Sequence, residues 1–190
     1  MTTQRSERST ANHSLDHPED ATIREVLRAQ LIGARKAVGV DMALLGLAVG
    51  RYDQWLYRTE VHSRSEFWKF NTVYDWGRAV GMNVFVHPRL TPVLKDHLIG
   101  PLARAGVSNP AFSAVGFLEY VQAWANFKGI EQRHIAKALD VNHGTMYAIN
   151  ESDNPRILTL QKYVRALGGR LEFHVEPIRD WRFVPVPPPF

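Results

Sequence analysis

The chain of 190 residues contains no cysteine. This absence excludes disulfide scaffolds, cysteine-based zinc sites, thiol catalysis and iron–sulfur clusters. It is compatible with a reducing compartment, and we expect a cytoplasmic protein.

Long hydrophobic runs are also absent. The longest apolar stretch runs from Ala37 to Gly50, is interrupted by Asp41, and is too short to span a bilayer. The N-terminal segment MTTQRSERST has no apolar core, so it does not resemble a secretory signal. We therefore expect no membrane partner.

Sequence signatures of catalysis are missing as well. The chain has neither a glycine-rich phosphate loop nor a nucleophile elbow. Of its eight histidines, His13 and His17 lie near the N-terminus and the other six are dispersed, so none predicts a metal-binding helix. We expect no enzyme activity, no cofactor and no metal.

The charge is mildly basic, with 23 Lys and Arg against 19 Asp and Glu. Arginine accounts for 17 of the 23 basic residues, and its planar side chain favours bidentate contacts with phosphate and guanine. Codon bias in a GC-rich genome produces the same enrichment. The charge therefore permits nucleic acid as a partner without requiring it.

Helical patterns dominate the chain between two polar or proline-rich ends. The polar residues 1–17 predict a disordered arm, and a helical stripe runs from Pro18 to near Gly39. Two alternating runs, Met82–Val86 and Arg170–Val175, each predict one strand, and each follows a glycine and precedes a proline. The C-terminal VPVPPPF predicts an extended tail.

The chain also contains an internal repeat. Gly39-Val40 matches Gly129-Ile130 at an offset of 90 residues, and Ala79-Val80-Gly81 matches Ala166-Leu167-Gly168 at an offset of 87. Apolar positions between these anchors also align. The predicted organisation is an arm (1–17), a first copy (18–87), a linker (88–111) with a short helix near Val93–Ile99, a second copy (112–177) and a Pro-rich tail (178–190).

The second copy contains a pattern of two short helices joined by a turn. The first helix is predicted from Glu131 to Leu139 and the second from His143 to about Asn150, with Asn142 as the N-cap of the second. Asp140 lies at the turn, where a residue that tolerates positive φ is needed. The positions predicted to be buried are Ile135, Ala136, Leu139, Met146 and Ile149. A small residue, a turn residue and apolar positions at these offsets indicate a helix-turn-helix.

This segment resembles the Cro/C1-type (XRE, lambda-repressor-like) helix-turn-helix family. Gln132 matches the family's first-helix glutamine, Ile135-Ala136 and Leu139 match its L-A-x-x-L, and Val141-Asn142 matches its V-S. Asp140 departs from the family's usual glycine. The resemblance implies a mainly α fold of two lambda-repressor-like helical domains, each followed by a short strand. It also implies sequence-specific binding of double-stranded DNA.

In such a motif the second helix enters the major groove, so its exposed head is the candidate reading surface. The resemblance assigns Gln132 to a phosphate. Any one of these residues is otherwise simply part of a solvated helix face. The candidates in this copy are Gln132, Arg133, Asn142, His143, Gly144, Thr145, Tyr147 and Asn150, with Lys128 as a further phosphate candidate.

The first copy carries a degenerate form of the same motif. Gly50 supplies the turn and Gly46 the small residue, but Met42 replaces the glutamine. Trp68 and Trp76 are predicted core residues. The alternative is a decayed copy that is kept for dimerisation or as a structural clamp. Its candidate DNA contacts are Arg51, Gln54, Tyr57 and Arg58, beside Asp53.

The sequence therefore favours a transcriptional repressor, similar to phage immunity repressors, that occludes a promoter without a cofactor. Two unlike readers on one chain favour a monomer on an asymmetric site, and a homodimer on a palindrome is the alternative. An antitoxin-like protein, which binds its operator and a toxin, is a second hypothesis, and the Pro-rich tail suits a protein partner. A module for protein interaction alone is a third.

Overall fold

The computed structural model describes residues 16–50, 53–61, 65, 68–91 and 114–182, with the backbone alone for residues 53–55. This part is mainly helical, as predicted, and it contains one small antiparallel sheet. The predicted helix at Val93–Ile99 lies outside it, as do Arg51, most of the arm and most of the tail. The elements are α1 (Pro18–Ala37), α2 (Met42–Ala48), α3 (Asp53–Val61), α4 (Phe70–Ala79), β1 (Met82–Arg89), α5 (Ala114–Phe127), α6 (Gln132–Ala138), α7 (His143–Asn150), α8 (Ile157–Ala166) and β2 (Arg170–Pro177).

Helix α1 begins and ends where its sequence predicts. Pro18 needs no hydrogen-bond acceptor in the first turn, and Glu19 and Asp20 lie at the positive end of the helix dipole. Asp16 and His17, the last two residues of the predicted disordered arm, nevertheless contact α1. The His17 side chain caps α1 by accepting from the Glu19 amide at 3.3 Å, and Asp16 pairs with Arg24.

The backbone repeats at the matched positions of the two copies. Left-handed backbone recurs at three matched places of the two copies: after the first helix, in the turn after the second helix, and before each strand. The pairs are Gly39 (φ 69°) with Gly129 (67°), Gly50 (62°) with Asp140 (56°), and Gly81 (80°) with Gly168 (80°). Asp140 thus adopts the positive φ that its position predicts, although it is not glycine.

Both predicted strands form, and they pair with each other. β1 and β2 run antiparallel, with Met82 opposite Pro177 and Arg89 opposite Arg170. The strand of each copy thereby completes the sheet with the strand of the other copy. Alternation along a strand shows which face is buried but not which strand is the neighbour.

A second crossing of the chain joins the copies in the same symmetric way. Lys69 forms an isolated antiparallel bridge with Arg156, its counterpart 87 residues later. The Phe70 amide donates to the Pro155 carbonyl at 2.9 Å, and the Ile157 amide donates to the Trp68 carbonyl at 2.8 Å. Each copy therefore donates the equivalent backbone hydrogen bond to the other copy. An approximate two-fold axis, which we call the pseudo-dyad, relates the copies here.

The first helix of each copy also packs on the other copy. α1 contacts β2, and α5 contacts β1. The core is continuous across the pseudo-dyad, with the Phe70 and Phe117 rings 6.4 Å apart between centroids. Trp68 and Trp76 are fully buried, as predicted. The sequence predicts two copies joined by a linker, and in the described residues these two copies pack against each other.

A buried polar network fixes α1 against α8. Arg24, only 2% exposed, donates to the Gln161 side chain, whose amide nitrogen in turn donates to the Asp20 carbonyl at 2.9 Å. The Arg165 guanidinium binds the Asp20 carboxylate through two bonds of 2.8 and 2.7 Å. Bidentate pairs of this kind are directional, so they orient one copy relative to the other.

Candidate nucleic-acid interface

The α6–α7 segment has the predicted boundaries within one residue or two. Four of the five positions predicted to be buried are buried, namely Ile135, Ala136, Leu139 and Met146, whereas Ile149 is only partly buried. Because Ala136 is small, it allows the two helices to lie close where they meet. The turn is completed by the Val141 amide, which donates to the Ala136 carbonyl at 3.0 Å.

Asn142 is the N-cap of α7, as predicted. Its side-chain oxygen accepts from the Thr145 amide at 2.8 Å, which satisfies one of the otherwise unpaired donors of the first turn. This bond fixes the start of α7 relative to the turn. The oxygen of the Asn142 side chain is therefore occupied within the helix, although Asn142 is among the predicted DNA contacts.

The head of α7 is exposed apart from Met146, the single buried residue of this helix. His143, Gly144 and Thr145 are exposed, and Tyr147 retains 63% of its accessible surface while the neighbouring Met146 retains 1%. His143 and Tyr147 lie one turn apart and share a face. The structure therefore brings these predicted readers together at one helix end.

Gly144 has no structural reason to be glycine. Its backbone is not left-handed, and a Cβ added there would meet only the Asn142 oxygen at 3.5 Å among the described residues. Gly144 is the second residue of α7, and glycine in a helix costs up to about 1 kcal/mol relative to alanine. The residue therefore lowers helix stability without easing any packing in the described chain, as expected where another molecule must approach the backbone closely.

Gln132 is the first residue of α6 and is exposed. Beside it, the Arg133 guanidinium pairs with the Glu131 carboxylate at 2.6 Å, and both side chains are mostly exposed. Exposed pairs of this type contribute little to stability and exchange readily. Arg133 therefore reaches a phosphate only by leaving Glu131, whereas the described structure records no hydrogen bond of the Gln132 side chain that competes.

The two remaining candidates of the second copy differ in exposure, because Lys128 is exposed and Asn150 is not fully so. Asn150 is half-buried, and its side-chain oxygen has no hydrogen-bond partner among the described residues. The Lys128 ammonium lies 5.4 Å from the centroid of the Trp124 ring, a distance at which the ring attracts the cation.

The first copy repeats this geometry with other side chains. Leu45, Gly46 and Leu56 are buried like their counterparts in the second copy, Ile135, Ala136 and Met146, and α3 follows the Gly50 turn. Tyr57 is 49% exposed and Arg58 is exposed, so both face outward. Gln54 and Asp53 belong to α3, but their side chains lie outside the described part, as does Arg51.

An apolar face on α2 is the feature that the sequence predictions omitted. Leu44 and Leu47 are 39% and 51% exposed, and the matched positions of α6 are His134 and Lys137. The repeat alignment contains this signal, because one copy is apolar where the other is polar and basic.

Among residues 16–182 that are described, no group of three or more His, Cys, Asp or Glu is arranged to hold a metal ion. None of the described helices combines the length and the apolar content needed to cross a membrane. No family model, curated protein or solved structure matches this chain.

Proposed function

We propose that the chain is a sequence-specific, double-stranded DNA-binding transcriptional regulator, a repressor similar to those of phage immunity. In this proposal α2–α3 and α6–α7 are two helix-turn-helix units of the Cro/C1 type. A single chain binds an asymmetric operator and occludes the promoter, and no cofactor takes part.

The observation that carries the proposal is the head of α7. It joins an exposed His143 and Tyr147 to a Gly144 that neither the backbone nor the packing requires. A helix that is exposed at its N-terminal end, and that has no side chain at one position there, can approach the floor of a major groove closely. Gln132, at the start of the preceding helix, would position the unit on a phosphate.

The charge distribution suits a reader that depends on base contacts more than on the phosphate backbone. Residues 111–177 contain seven basic and seven acidic side chains, and α7 itself has none. Because phosphate neutralisation determines the salt dependence of affinity, we expect a shallow slope of affinity against salt concentration. Nonspecific binding should accordingly be weak.

The test is selection of DNA by the purified full chain from a random duplex library, followed by titration of selected and scrambled sites. We expect a preference of at least about 1,000-fold for the selected site. The variant Val115→Ala is a matched control, because Val115 is 50% exposed and lies at the end of α5 about 18 Å from its junction with α6. Failure to enrich any sequence would exclude the proposal.

A partner protein is the second candidate, and the apolar face of α2 favours it. Leu44 and Leu47 expose hydrocarbon where the second copy has His134 and Lys137. An antitoxin-like regulator would bind DNA through α7 and a toxin through this face. The test is whether the chain neutralises the toxicity of a neighbouring gene's product, and whether Leu47→Lys abolishes neutralisation while leaving DNA affinity unchanged.

A further inference from the structure

We infer that the operator consists of two half-sites of unlike sequence in inverted orientation, held at one spacing and bound by a single chain. This inference rests on the proposed function and specifies the substrate further. It concerns how the two reading helices, α3 and α7, are arranged relative to each other.

The pseudo-dyad supplies the inverted orientation. At two separate places, each copy meets its own counterpart: Lys69 meets Arg156, and Val86 meets Phe173. Any antiparallel pair of strands has a local two-fold axis. Here that axis maps a residue onto its repeat equivalent at both places, so the axis relates whole copies rather than two strands alone.

Each reading helix is tied to this symmetric centre by the same chain of contacts. In the first copy α3 packs on α2, and α2 packs on α4, which leads into β1. In the second copy α7 packs on α6, and α6 packs on α8, which leads into β2. The rotation that exchanges α4 and α8 therefore also exchanges α3 and α7. A two-fold pair of reading helices matches the two-fold axis of a DNA duplex, which gives inverted half-sites.

The spacing is fixed because the two copies cannot move apart without losing buried contacts. The shared sheet, the Phe70–Phe117 contact and the Asp20–Arg165 pair all cross between copies. Because protein interiors are closely packed, moving the two copies apart would open voids and break these contacts. The distance between α3 and α7 is therefore set by this packing and not by the length of the segment 92–113.

The half-sites are unlike because the reading side chains differ, with one exception. In the repeat alignment, Asp53 corresponds to His143, Gln54 to Gly144, and Arg58 to Ala148. Tyr57 and Tyr147 are identical and are 49% and 63% exposed. We therefore expect the two half-sites to share one contact, made by tyrosine at base pairs related by the dyad, and to differ elsewhere.

The first experiment rearranges the selected site and measures affinity for the full chain. Replacing one half-site by its reverse complement gives a direct repeat, and inserting five or ten base pairs changes the spacing. We expect each change to weaken binding at least about 100-fold, because the contacts of one half-site are lost and each is worth roughly a factor of five to 150. Binding of the direct repeat within threefold of the original would overturn the inference and leave specific DNA binding intact. Absence of any selected site would instead overturn the proposed function.

The second experiment maps the shared contact. Tyr57→Ala and Tyr147→Ala are each titrated against single-base variants of the site, with Val115→Ala as the control. We expect each tyrosine variant to lose discrimination at one position, and the two positions to be related by the dyad. Two positions related by translation along one strand would contradict the inference, and so would an unchanged profile for Tyr57→Ala.

Discussion

Val86 lies directly opposite Phe173 in the antiparallel sheet, and the two residues occupy the same position of the internal repeat. Two equivalent residues meet in this way at the interface of a homodimer. Here they belong to one chain, which therefore has the internal arrangement of a dimer with unlike halves. In the proposed function, this relationship determines how α3 and α7 are arranged on one DNA duplex.

Gly144→Ala should change stability and DNA binding in opposite directions. Alanine at this exposed helical position should raise the free energy of unfolding by about 0.5–1 kcal/mol, because glycine is the poorer helix former. The added methyl group should weaken specific binding at least about tenfold if the backbone lies against DNA. Urea denaturation and DNA titration of the same preparation measure both effects. Unchanged affinity would mean that nothing approaches the helix at this residue.

His143→Ala and Tyr147→Ala should each weaken binding to the selected site by roughly 1–3 kcal/mol, the usual cost of one lost base contact. Both side chains lie on the exposed face of α7, so folding stability should change little. Titration with the selected site, alongside Val115→Ala, measures the effect. If both variants keep the affinity and the sequence preference of the parent chain, α7 is not the reading helix.

Gln132→Ala should weaken binding to all DNA sequences by a similar factor, because a phosphate contact positions the protein without reading a base. Gln132→Glu should weaken it further, since a carboxylate at this exposed helix start repels phosphate. The measurement is a comparison of affinities for the selected site and for each single-base variant. Loss confined to one operator variant would assign Gln132 to base recognition instead.

Asp140→Gly and Gly50→Ala test the two matched turns against each other. Asp140 adopts φ 56° and Gly50 adopts φ 62°, a backbone conformation that costs a side chain about 1 kcal/mol. Glycine at position 140 should therefore stabilise the chain by up to about 1 kcal/mol, and alanine at position 50 should destabilise it by about 1 kcal/mol. Thermal or urea denaturation measures both. Shifts of the same sign would show that the turns are not equivalent.

Tyr163→Phe should raise the free energy of unfolding and reduce its decrease at alkaline pH. Tyr163 is fully buried, and its hydroxyl has no partner among the described residues, so its removal should gain about 1 kcal/mol. Burial raises the pKa of Tyr163 from 10 to about 12. Between these values the unfolded chain releases a proton that the folded chain retains, so stability is full below pH 10 and falls as the pH rises.

Urea denaturation at intervals from pH 9 to pH 12 checks this expectation. The parent chain should lose up to about 1.4 kcal/mol per pH unit through Tyr163. The phenylalanine variant should show a shallower slope, which Tyr74 and Tyr120 maintain because burial raises the pKa of each of them too. If the free energy of unfolding fell with pH at the same rate in both proteins, Tyr163 would not contribute to the loss of stability at alkaline pH.

Local structure was predictable wherever one residue type dominates the choice of conformation. Pro18 and its acidic neighbours mark the start of α1, and Asn142 marks the start of α7. Asp140 marks the turn by its place between two apolar stripes. These features depend on the chain within a few residues, so the sequence contains them directly.

The arrangement of the two copies was not predictable in the same way. The pairing of β1 with β2, and the contact of α1 with α8 through Arg24, Gln161 and Arg165, join residues more than 80 positions apart. Alternation and helical period identify a buried face but not its partner. Similarly, the repeat alignment marks Leu44 and Leu47 as apolar where the other copy is polar, but only the assembled core shows that they stay partly exposed.

The most direct test of the central claim is the mass of the complex between the full chain and its selected DNA, measured by native mass spectrometry together with a footprint on both strands. We predict one chain per duplex and a footprint of two unlike, inverted halves. Two chains on a true palindrome would contradict the account, because each chain would then contribute only one reader and α3 would have no place on the DNA.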